Sequence, residues 1–292
     1  MKFAVGYQQQ CPGWMDAIVE RKDAIYEVYF AYGSTPSGRA LITDVDRQLD
    51  DLGRIADAGI ALGILFNANC YGAKSLARDF YDEIGGTIDR FADGALKSVT
   101  TTSPLIAKFV KDNFPQLKTR ASVNMGIGTE EGMDYLAEFF DGFYLQRELN
   151  RDRDRVAKSK AWCDRNGKEL FLLANSGCLN HCSSHTFHDN LVAHEAELPK
   201  TDCAYAYRGT CWRWLAKPEN RAKWIDRTNW IAPEDIGAYE GLCTAMKLAT
   251  RSNVNPVRVL LSYLTGSCIG DIKDLLEPNH SRLWSQDMEE KC

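Results

Sequence analysis

Short apolar segments alternate with amphipathic helical segments along almost the whole chain, and this alternation constrains the fold most. We predict eight strands, at 2–7, 25–33, 60–69, 96–103, 118–125, 142–149, 168–177 and 244–252. Apolar residues with helical spacing follow most strands, at 45–59, 73–85, 104–113, 129–140, 151–166 and 255–266. Because parallel strands need such crossovers, and eight units close into a barrel, we predict an α/β fold of the (β/α)8, TIM-barrel-like class.

The alternation breaks at 178–235, after the seventh strand. We interpret 1–292 as one barrel domain and 178–235 as a Cys- and His-rich, metal-binding insertion within it. The alternative is an open doubly wound sheet, which would carry a G-x-G-x-x-G phosphate loop after an early strand. No such loop occurs there, so the barrel is the favoured prediction.

Charge and the N-terminal sequence restrict the partners and the compartment. A net charge of −5 gives no broad basic surface, so we do not expect a nucleic-acid partner. The chain shows neither a secretory leader pattern nor an apolar run of the ~20 residues that a membrane span needs. We therefore expect a cytoplasmic protein, in which ten cysteines are not expected to form a disulfide framework.

Polar side chains follow the predicted strands, where barrel enzymes place their chemistry. We predict catalytic roles for Arg147, Glu148 and Arg251, since a guanidinium binds a carboxylate or phosphate in two-point contacts. The alternative for either arginine is an ion pair with Glu148 or an aspartate. Substrate-binding roles are predicted for a second, mostly amide-bearing set: Tyr7, Asn67, Asn69, Asn124, Asn175 and Lys247. The alternative for each of these is a helix cap or loop anchor.

The segment SGCLNHCSSHTFHDNLVAH, at 176–194, contains two cysteines and four of the five histidines. Cys178 and Cys182 lie in it, and Cys203 and Cys211 follow. Four thiolates can complete a tetrahedral zinc site or hold one [4Fe–4S] cluster, and the C-x3-C spacing leaves both open. Cys243 is the alternative to Cys203. We interpret the other cysteines as buried or incidental thiols: Cys11, Cys70, Cys163, Cys268 and Cys292.

The histidines of this segment are the remaining catalytic candidates. His181 lies between Cys178 and Cys182, where it is a metal ligand, a donor beside the metal or an exposed loop residue. His185, His188 and His194 are spaced close to one helix face, and we predict a catalytic role for His185. The alternative is a set of surface or capping histidines.

Three runs carry a resemblance to a known family: LFLLANSGCLNHCSSHTFHDN, CWRWL, and NWIAPEDIGAYEGLCTAMKLATRS. WIAPED, MKLATR and LQRELNRD match its other segments. The chain resembles the collagenase-like peptidase superfamily, which includes the UbiU/UbiV-type iron–sulfur barrel proteins. The resemblance covers most of the chain and is most specific from 142 to 276.

The resemblance implies a (β/α)8-type barrel and a [4Fe–4S] cluster on four cysteines, with oxygen-independent hydroxylation as the reaction. Cys178, Cys182 and Cys211 match the family's cysteines. The fourth position departs, because Gly237 follows the EDI segment where many relatives have cysteine, so Cys203 is assigned in its place. The larger relatives' C-terminal domain has no counterpart here, which argues against a bulky RNA substrate.

Three functions follow from these observations. We expect an iron–sulfur redox enzyme, an oxygen-independent hydroxylase of a small polar or anionic substrate, with an electron-donor protein as a further partner. The first alternative is a zinc- or Cys-dependent peptidase. The second is a non-catalytic iron–sulfur partner in a heteromeric complex. The sequence does not fix the oligomeric state.

Overall fold

Eight parallel strands form a closed barrel in sequence order, with β8 paired to β1. This computed structural model describes residues 1–33, 37, 42–91, 94–195, 201–205, 207 and 209–279. The strands are β1 Phe3–Gly6, β2 Ile25–Phe30, β3 Leu62–Phe66, β4 Leu96–Thr101, β5 Lys118–Ala121, β6 Gly142–Tyr144, β7 Glu169–Leu173 and β8 Ala245–Leu248. Each lies inside a predicted strand, so the predicted TIM-barrel-like fold is confirmed.

Helices surround the barrel. They are α1 Trp14–Glu20, α2 Val45–Asp57, α3 Arg78–Asp89, α4 Pro104–Asn113, α5 Glu130–Asp134, α6 Arg153–Arg165, α7 His185–Ala193, α8 Thr210–Ala216, α9 Pro218–Arg221, α10 Trp224–Arg227, α11 Pro256–Thr265 and α12 Ile272–Leu275. The α4 bounds match the prediction because Pro104 follows an N-cap at Ser103, whose hydroxyl accepts from the Ile106 amide.

Three helical predictions need correction, and one helix was not predicted. The predicted helix at 73–85 is a 3-10 turn, Gly72–Leu76, followed by α3. The predicted helix at 129–140 ends as α5 at Asp134. The predicted last helix is followed by α12, whose Asp271 cap accepts from the Lys273 amide. Helix α1 was not predicted, although it buries Trp14 and Ile18 completely.

The strands are buried on two faces, as a covered parallel barrel requires. Inward residues include Tyr29, Leu65, Tyr144 and Phe171, in two clusters inside the barrel. Outward residues such as Val5 belong to the large core between the strands and the helices. Because side chains alternate along a strand, each residue's position in its strand decides whether it reaches the barrel interior.

A buried ion pair closes the lower part of the barrel interior. Glu27 and Arg120 are in direct contact, and Ser98 donates to Glu27 at 2.9 Å. The Arg120 guanidinium also lies 4.6 Å from the Phe171 ring centroid. A side chain at Gly63 would meet the Ser98 hydroxyl at 2.7 Å, so only glycine leaves room for this pair. The open space therefore lies above the pair, toward the carboxyl ends of the strands.

The connection from β7 to β8 carries α7 to α10 and a 3-10 turn at Pro233–Tyr239. Its later part has an apolar cluster of its own, in which Leu215, Trp224 and Trp230 pack with Leu276. By contrast, α7 buries no residue. Residues 196–200, 206, 208 and 280–292 lie outside the described residues, Cys292 among them. The single domain at 1–292 and the metal-binding insertion at 178–235 therefore stay predictions.

Among the described residues, no helix combines the length and the apolar character that crossing a bilayer requires.

Candidate functional site

A cavity of about 150 Å3 opens at the carboxyl ends of the strands. The strand ends and the β7–β8 connection both contribute to its lining, so the barrel mouth and the cysteine segment share one site. The predicted site residues in the lining are Asn67, Asn124, Arg147, Cys178, Cys182, His185, Cys211, Lys247 and Arg251. Tyr7, Asn69, Glu148, Asn175, His181 and Cys203 are not in this lining.

Tyr7 and Asn175 follow strands but serve the scaffold. Tyr7 points outward from β1, and its hydroxyl donates to Asp51 of α2 at 2.9 Å. Asn175 accepts from the Ala249 amide at 2.6 Å and donates to the carbonyls of Ala249 and Leu275. Its side chain therefore joins the segments after β7 and β8, and the expectation that both residues surround the cavity is corrected.

Asn67 is the amide best placed to meet a ligand. It continues the inward alternation of Gly63 and Leu65 in β3, and it is buried. Its Oδ1 has no hydrogen-bond partner among the described residues, although it borders the cavity. Burying such an atom unpaired costs about 1–3 kcal/mol, which a hydrogen-bond donor on a ligand would offset. Asn69, two residues further, is half-buried outside the lining.

Arg147 is the centre of a polar network on one wall of the cavity. Its Nη2 donates to Asn124 Oδ1 at 2.5 Å and lies 3.6 Å from Asp189 Oδ2. Its Nη1 contacts the His185 ring and lies 3.9 Å from Cys178 Sγ. The arginine therefore connects the end of β6 both to α7 and to the first cysteine.

His185 contacts Asp189 of its own helix in addition to Arg147. Its Nε2 lies 3.1 Å from Asp189 Oδ2, and its Nδ1 lies 3.8 Å from Glu148 Oε1. Burial, together with the charge of Arg147, lowers the pKa of His185. Glu148 therefore reaches the network through His185 without lining the cavity. His181 is exposed, with a φ of 54°.

Three thiols converge on the same cavity. Burial raises the pKa of Cys211 to about 11, and the negative charges of Cys178 and Cys182 contribute to the shift. Soft sulfur donors in one lining are the donor type that zinc and iron–sulfur clusters prefer. Among the described residues, however, no three His, Cys, Asp or Glu side chains are close enough to hold a metal ion. The cavity therefore has suitable donors without a closed coordination geometry.

The two candidates for a fourth thiolate lie elsewhere. Cys203 is exposed and does not line the cavity. Cys243 is buried before β8, at the amino end of the barrel, where its Sγ lies 4.0 Å from Met1 Sδ. The thiol of Cys243 therefore faces the opposite end from Cys178, which corrects its place as the alternative ligand.

Lys247 and Arg251 form the other wall. Lys247 Nζ lies 4.0 Å from the Tyr29 ring centroid, and the Arg251 guanidinium lies 5.9 Å from the same centroid. Burial, with the nearby charge of Arg251, lowers the pKa of Lys247 to about 7. A side chain at Gly6 would meet Arg251 Cγ at 2.5 Å, so glycine at this position leaves the space that the Arg251 side chain occupies.

Two cavity residues that contact the predicted site residues, Asp189 and Tyr29, were not predicted from the sequence. Asp189 follows His185 by four residues, so helical spacing signals that the two share a face. Tyr29 faces inward in β2, two residues after Glu27. Its position is signalled only by strand alternation, because its aromatic ring is equally typical of a core residue.

No protein-family model matches the chain, but individual known proteins are similar to it along most of its length. It is 23% identical over 272 residues to a protein of Methanocaldococcus jannaschii called "Uncharacterized protease MJ1657", covering 88% of this chain and 76% of that protein. Its structure resembles that of the U32 peptidase Mk0906, with a TM-score of 0.60 and 16% identity, over 85% of this chain and 91% of the other.

The structural likeness shows the shared fold, and the sequence relative extends over most of both chains. Together they are consistent with the collagenase-like (U32) peptidase superfamily, and at that level the resemblance predicted from the sequence is confirmed.

Proposed function

We propose that this chain is a redox enzyme that binds a small anionic organic substrate beside a [4Fe–4S] cluster. The main support for this proposal is that one cavity is lined by three thiols, Cys178, Cys182 and Cys211, and also by cationic side chains. Oxygen-independent hydroxylation is the reaction that the family resemblance implies. Cys203 is the fourth ligand in this proposal. An electron-donor protein remains a predicted partner.

The chain's own residues divide into two groups by what they would do. The three thiolates would hold the cluster, and the cluster would supply single-electron transfer or a Lewis-acidic iron. Arg251 would hold the substrate anion, because a guanidinium fork matches a carboxylate in two contacts. Asn67 Oδ1 would accept a hydrogen bond from the substrate, which explains its burial without a partner.

The charges and the size of the cavity support a small anion. Three cations line it, Arg147, Lys247 and Arg251, against two carboxylates, Asp189 and Glu277. Asp189 lies beside Arg147, so that arginine is already matched in charge. The volume of about 150 Å3 is below the ~300–1,000 Å3 of cavities that take drug-sized ligands, which favours a compact acid over a peptide.

Anaerobic purification with iron, acid-labile sulfide and zinc analysis tests the cluster. We expect about four irons and four sulfides per chain with a broad visible absorbance. A colourless protein that holds one zinc, or no metal after anaerobic reconstitution, would overturn the cluster.

Substrate charge is tested by titrating small carboxylates against Arg251→Lys, with iron content and unfolding followed on the same sample. We expect weaker anion binding with both other measurements unchanged. Arg258→Lys is the matched control, since Arg258 pairs with Asp274 at 3.3 Å away from the cavity. Equal anion affinity in the wild type and Arg251→Lys would show that Arg251 does not bind the anion.

A second candidate is a Cys-dependent hydrolase. A side chain at Gly209 would come within 3.4 Å of His188 Cε1 and 3.5 Å of Cys211 Sγ, so both side chains flank one point of the lining. This proposal predicts cleavage of a fluorogenic peptide library that needs no metal and is lost in Cys211→Ala. Full cleavage by Cys211→Ala, or none by the wild type, would eliminate it.

A further inference from the structure

Lys247 is placed inside the barrel by the alternation of β8. Ala245 and Lys247 face inward, whereas Met246 and Leu248 face the helices. The side chain is 7% exposed and borders the cavity. Its Nζ lies over two rings, 4.0 Å from the Tyr29 centroid and 5.0 Å from the Tyr144 centroid. The amine is therefore enclosed by aromatic walls and open only toward the cavity.

The ionisable groups that face Lys247 are mostly cationic. Arg251 follows its own strand, Arg147 follows β6, and Arg120 faces it from β5, while Glu27 on β2 is the carboxylate that acts on it. The two phenols stay neutral, because burial raises the pKa of Tyr29 to about 12 and also raises that of Tyr144. In the described part of the chain, no carboxylate lies within 4.0 Å of Nζ. Its surroundings therefore favour the neutral amine, in agreement with a pKa of about 7.

A structural lysine in the same molecule looks different. Lys168 Nζ donates to the Ala137 carbonyl at 2.6 Å and to the Phe140 carbonyl at 2.8 Å, which fastens a loop. Lys247 Nζ, by contrast, donates a hydrogen bond to no described residue. A buried amine without a hydrogen-bond partner costs free energy of folding, and a ligand in the cavity that contacts the amine would offset this cost.

We propose that Lys247 is a nucleophilic amine that forms a Schiff base with a small carbonyl compound bearing a carboxylate or phosphate. An amine desolvated in an apolar pocket beside another cation is activated for this chemistry. The Nζ lone pair forms a C–N bond to the carbonyl carbon, and proton transfer to the carbonyl oxygen gives a carbinolamine. Loss of that oxygen as water leaves the imine, and no group is oxidised or reduced.

The positions of Lys247 and Arg251 fit such a substrate. Both cations lie over the Tyr29 ring, so a carbonyl at the amine and an anion at the guanidinium can belong to one short molecule. This inference rests on the proposed function only in using the same cavity as the substrate site. It assigns the substrate a reactive carbonyl group in addition to its charge.

The test is reductive trapping with glyoxylate and sodium cyanoborohydride on the anaerobically purified protein at pH 7.5, followed by peptide mapping. An amine of pKa about 7 is mostly neutral at this pH, whereas an ordinary lysine is neutral in about one molecule in a thousand. We expect Lys247 to be labelled at least tenfold faster than the exposed Lys108, which pairs with Asp112 at 2.8 Å. Labelling of Lys247 no faster than Lys108 would overturn the proposal.

Two variants and a second probe separate the amine from the anion site. Lys247→Met should lose the fast adduct. Arg251→Met should slow trapping of glyoxylate severalfold more than trapping of the uncharged acetaldehyde, because loss of the cation raises the pKa of Lys247 for both probes but removes the anion contact only for glyoxylate. A fast adduct that persists in Lys247→Met, or acetaldehyde trapping slowed as much as glyoxylate trapping, would contradict the proposed geometry. The wild-type comparison with Lys108 needs no variant, so a folding defect in either variant leaves the test decisive.

Iron and sulfide analysis of the same samples distinguishes this inference from the proposed function. Fast trapping in a wild-type protein without iron would support the Schiff-base proposal and overturn the cluster proposal. A full cluster with slow trapping would support the cluster proposal and overturn the Schiff-base proposal. Cys178→Ala should lose iron and still trap glyoxylate, since Lys247 projects from a barrel strand rather than from the cysteine segment.

Discussion

Arg147 Nη2 lies 3.6 Å from Asp189 Oδ2, and this pair joins the end of β6 to α7 across the mouth of the barrel. Both side chains are largely buried, at 8% and 19% exposure. No residue of α7 is fully buried, so polar contacts of this kind hold the helix in place. The position of the cysteine segment beside the cavity therefore depends on charge as well as on any metal.

We expect Arg147→Met to destabilise the protein by about 2–4 kcal/mol, because it leaves Asp189 partly buried without its cation. Asp189→Asn removes the matching charge. Denaturant unfolding of both single variants and the double variant measures the coupling, for which we expect at least ~1 kcal/mol. Additive effects of the two substitutions would show that the pair is not coupled. Lys108→Met with Asp112→Asn gives the exposed reference pair.

The cysteines should separate into two groups. Single replacement of Cys178, Cys182 or Cys211 by alanine should remove the metal and increase proteolysis between β7 and α8, because metal–thiolate bonds can supply the ordering energy that this polar segment lacks. The circular dichroism of the barrel should be unchanged. Cys243→Ala is the control, since its thiol lies at the opposite end of the barrel.

Cys203→Ala tests the fourth ligand by metal analysis. We expect loss of iron, even though its thiol is exposed outside the cavity, because the cluster proposal needs a fourth donor. Full iron in Cys203→Ala would show that a different group completes the site. Wild-type metal content in all four variants would end the thiolate hypothesis.

Lys247 should make stability depend on pH in a predictable direction. Its pKa is about 7 in the folded chain against 10.5 unfolded, so between these values the unfolded chain binds a proton that the folded chain lacks. Wild-type stability should therefore rise with pH over this interval. Lys247→Met should be stabilising, most strongly below pH ~7, and its advantage should fall by up to about 1.4 kcal/mol per pH unit toward pH ~10.

Denaturant unfolding from pH 6 to pH 10 measures this difference, with the exposed Lys97→Met as the control. A constant stability difference between Lys247→Met and the wild type across this interval would contradict the lowered pKa.

Asn175→Ala should weaken the barrel without altering the cavity chemistry. The substitution deletes three hydrogen bonds to backbone groups of Ala249 and Leu275, whose atoms are then left buried and unpaired. We expect a loss of about 2–4 kcal/mol in the free energy of unfolding with glyoxylate trapping retained. Asn113→Ala is the control, because its single bond to the Phe109 carbonyl lies on an exposed helix surface. An equally small loss of stability in both variants would show that Asn175 does not anchor these loops.

Most of the eight strands were predictable because a covered parallel strand favours a continuous apolar run, which is visible in the sequence itself; β5, Lys118–Ala121, is an exception, because it contains Thr119 and Arg120. The ends of the strands were not predictable, since the apolar runs extend into the loops. In the predicted strand at 142–149, pairing stops at Tyr144 and a 3-10 turn, Arg147–Leu149, follows. Hydrogen bonds to neighbouring strands end a strand, and no local pattern encodes them.

The sequence alone determined the barrel, the set of polar strand ends and the concentration of Cys and His side chains after β7, because these depend on local periodicity and residue type. Tertiary structure decided which of those side chains meet. It turned Tyr7 outward to Asp51, used Asn175 to fasten two loops, and enclosed Lys247 between Tyr29 and Tyr144. Contacts between residues so distant in the sequence arise only when the barrel closes, so burial, charge pairing and the pKa of the lysine depend on the tertiary structure.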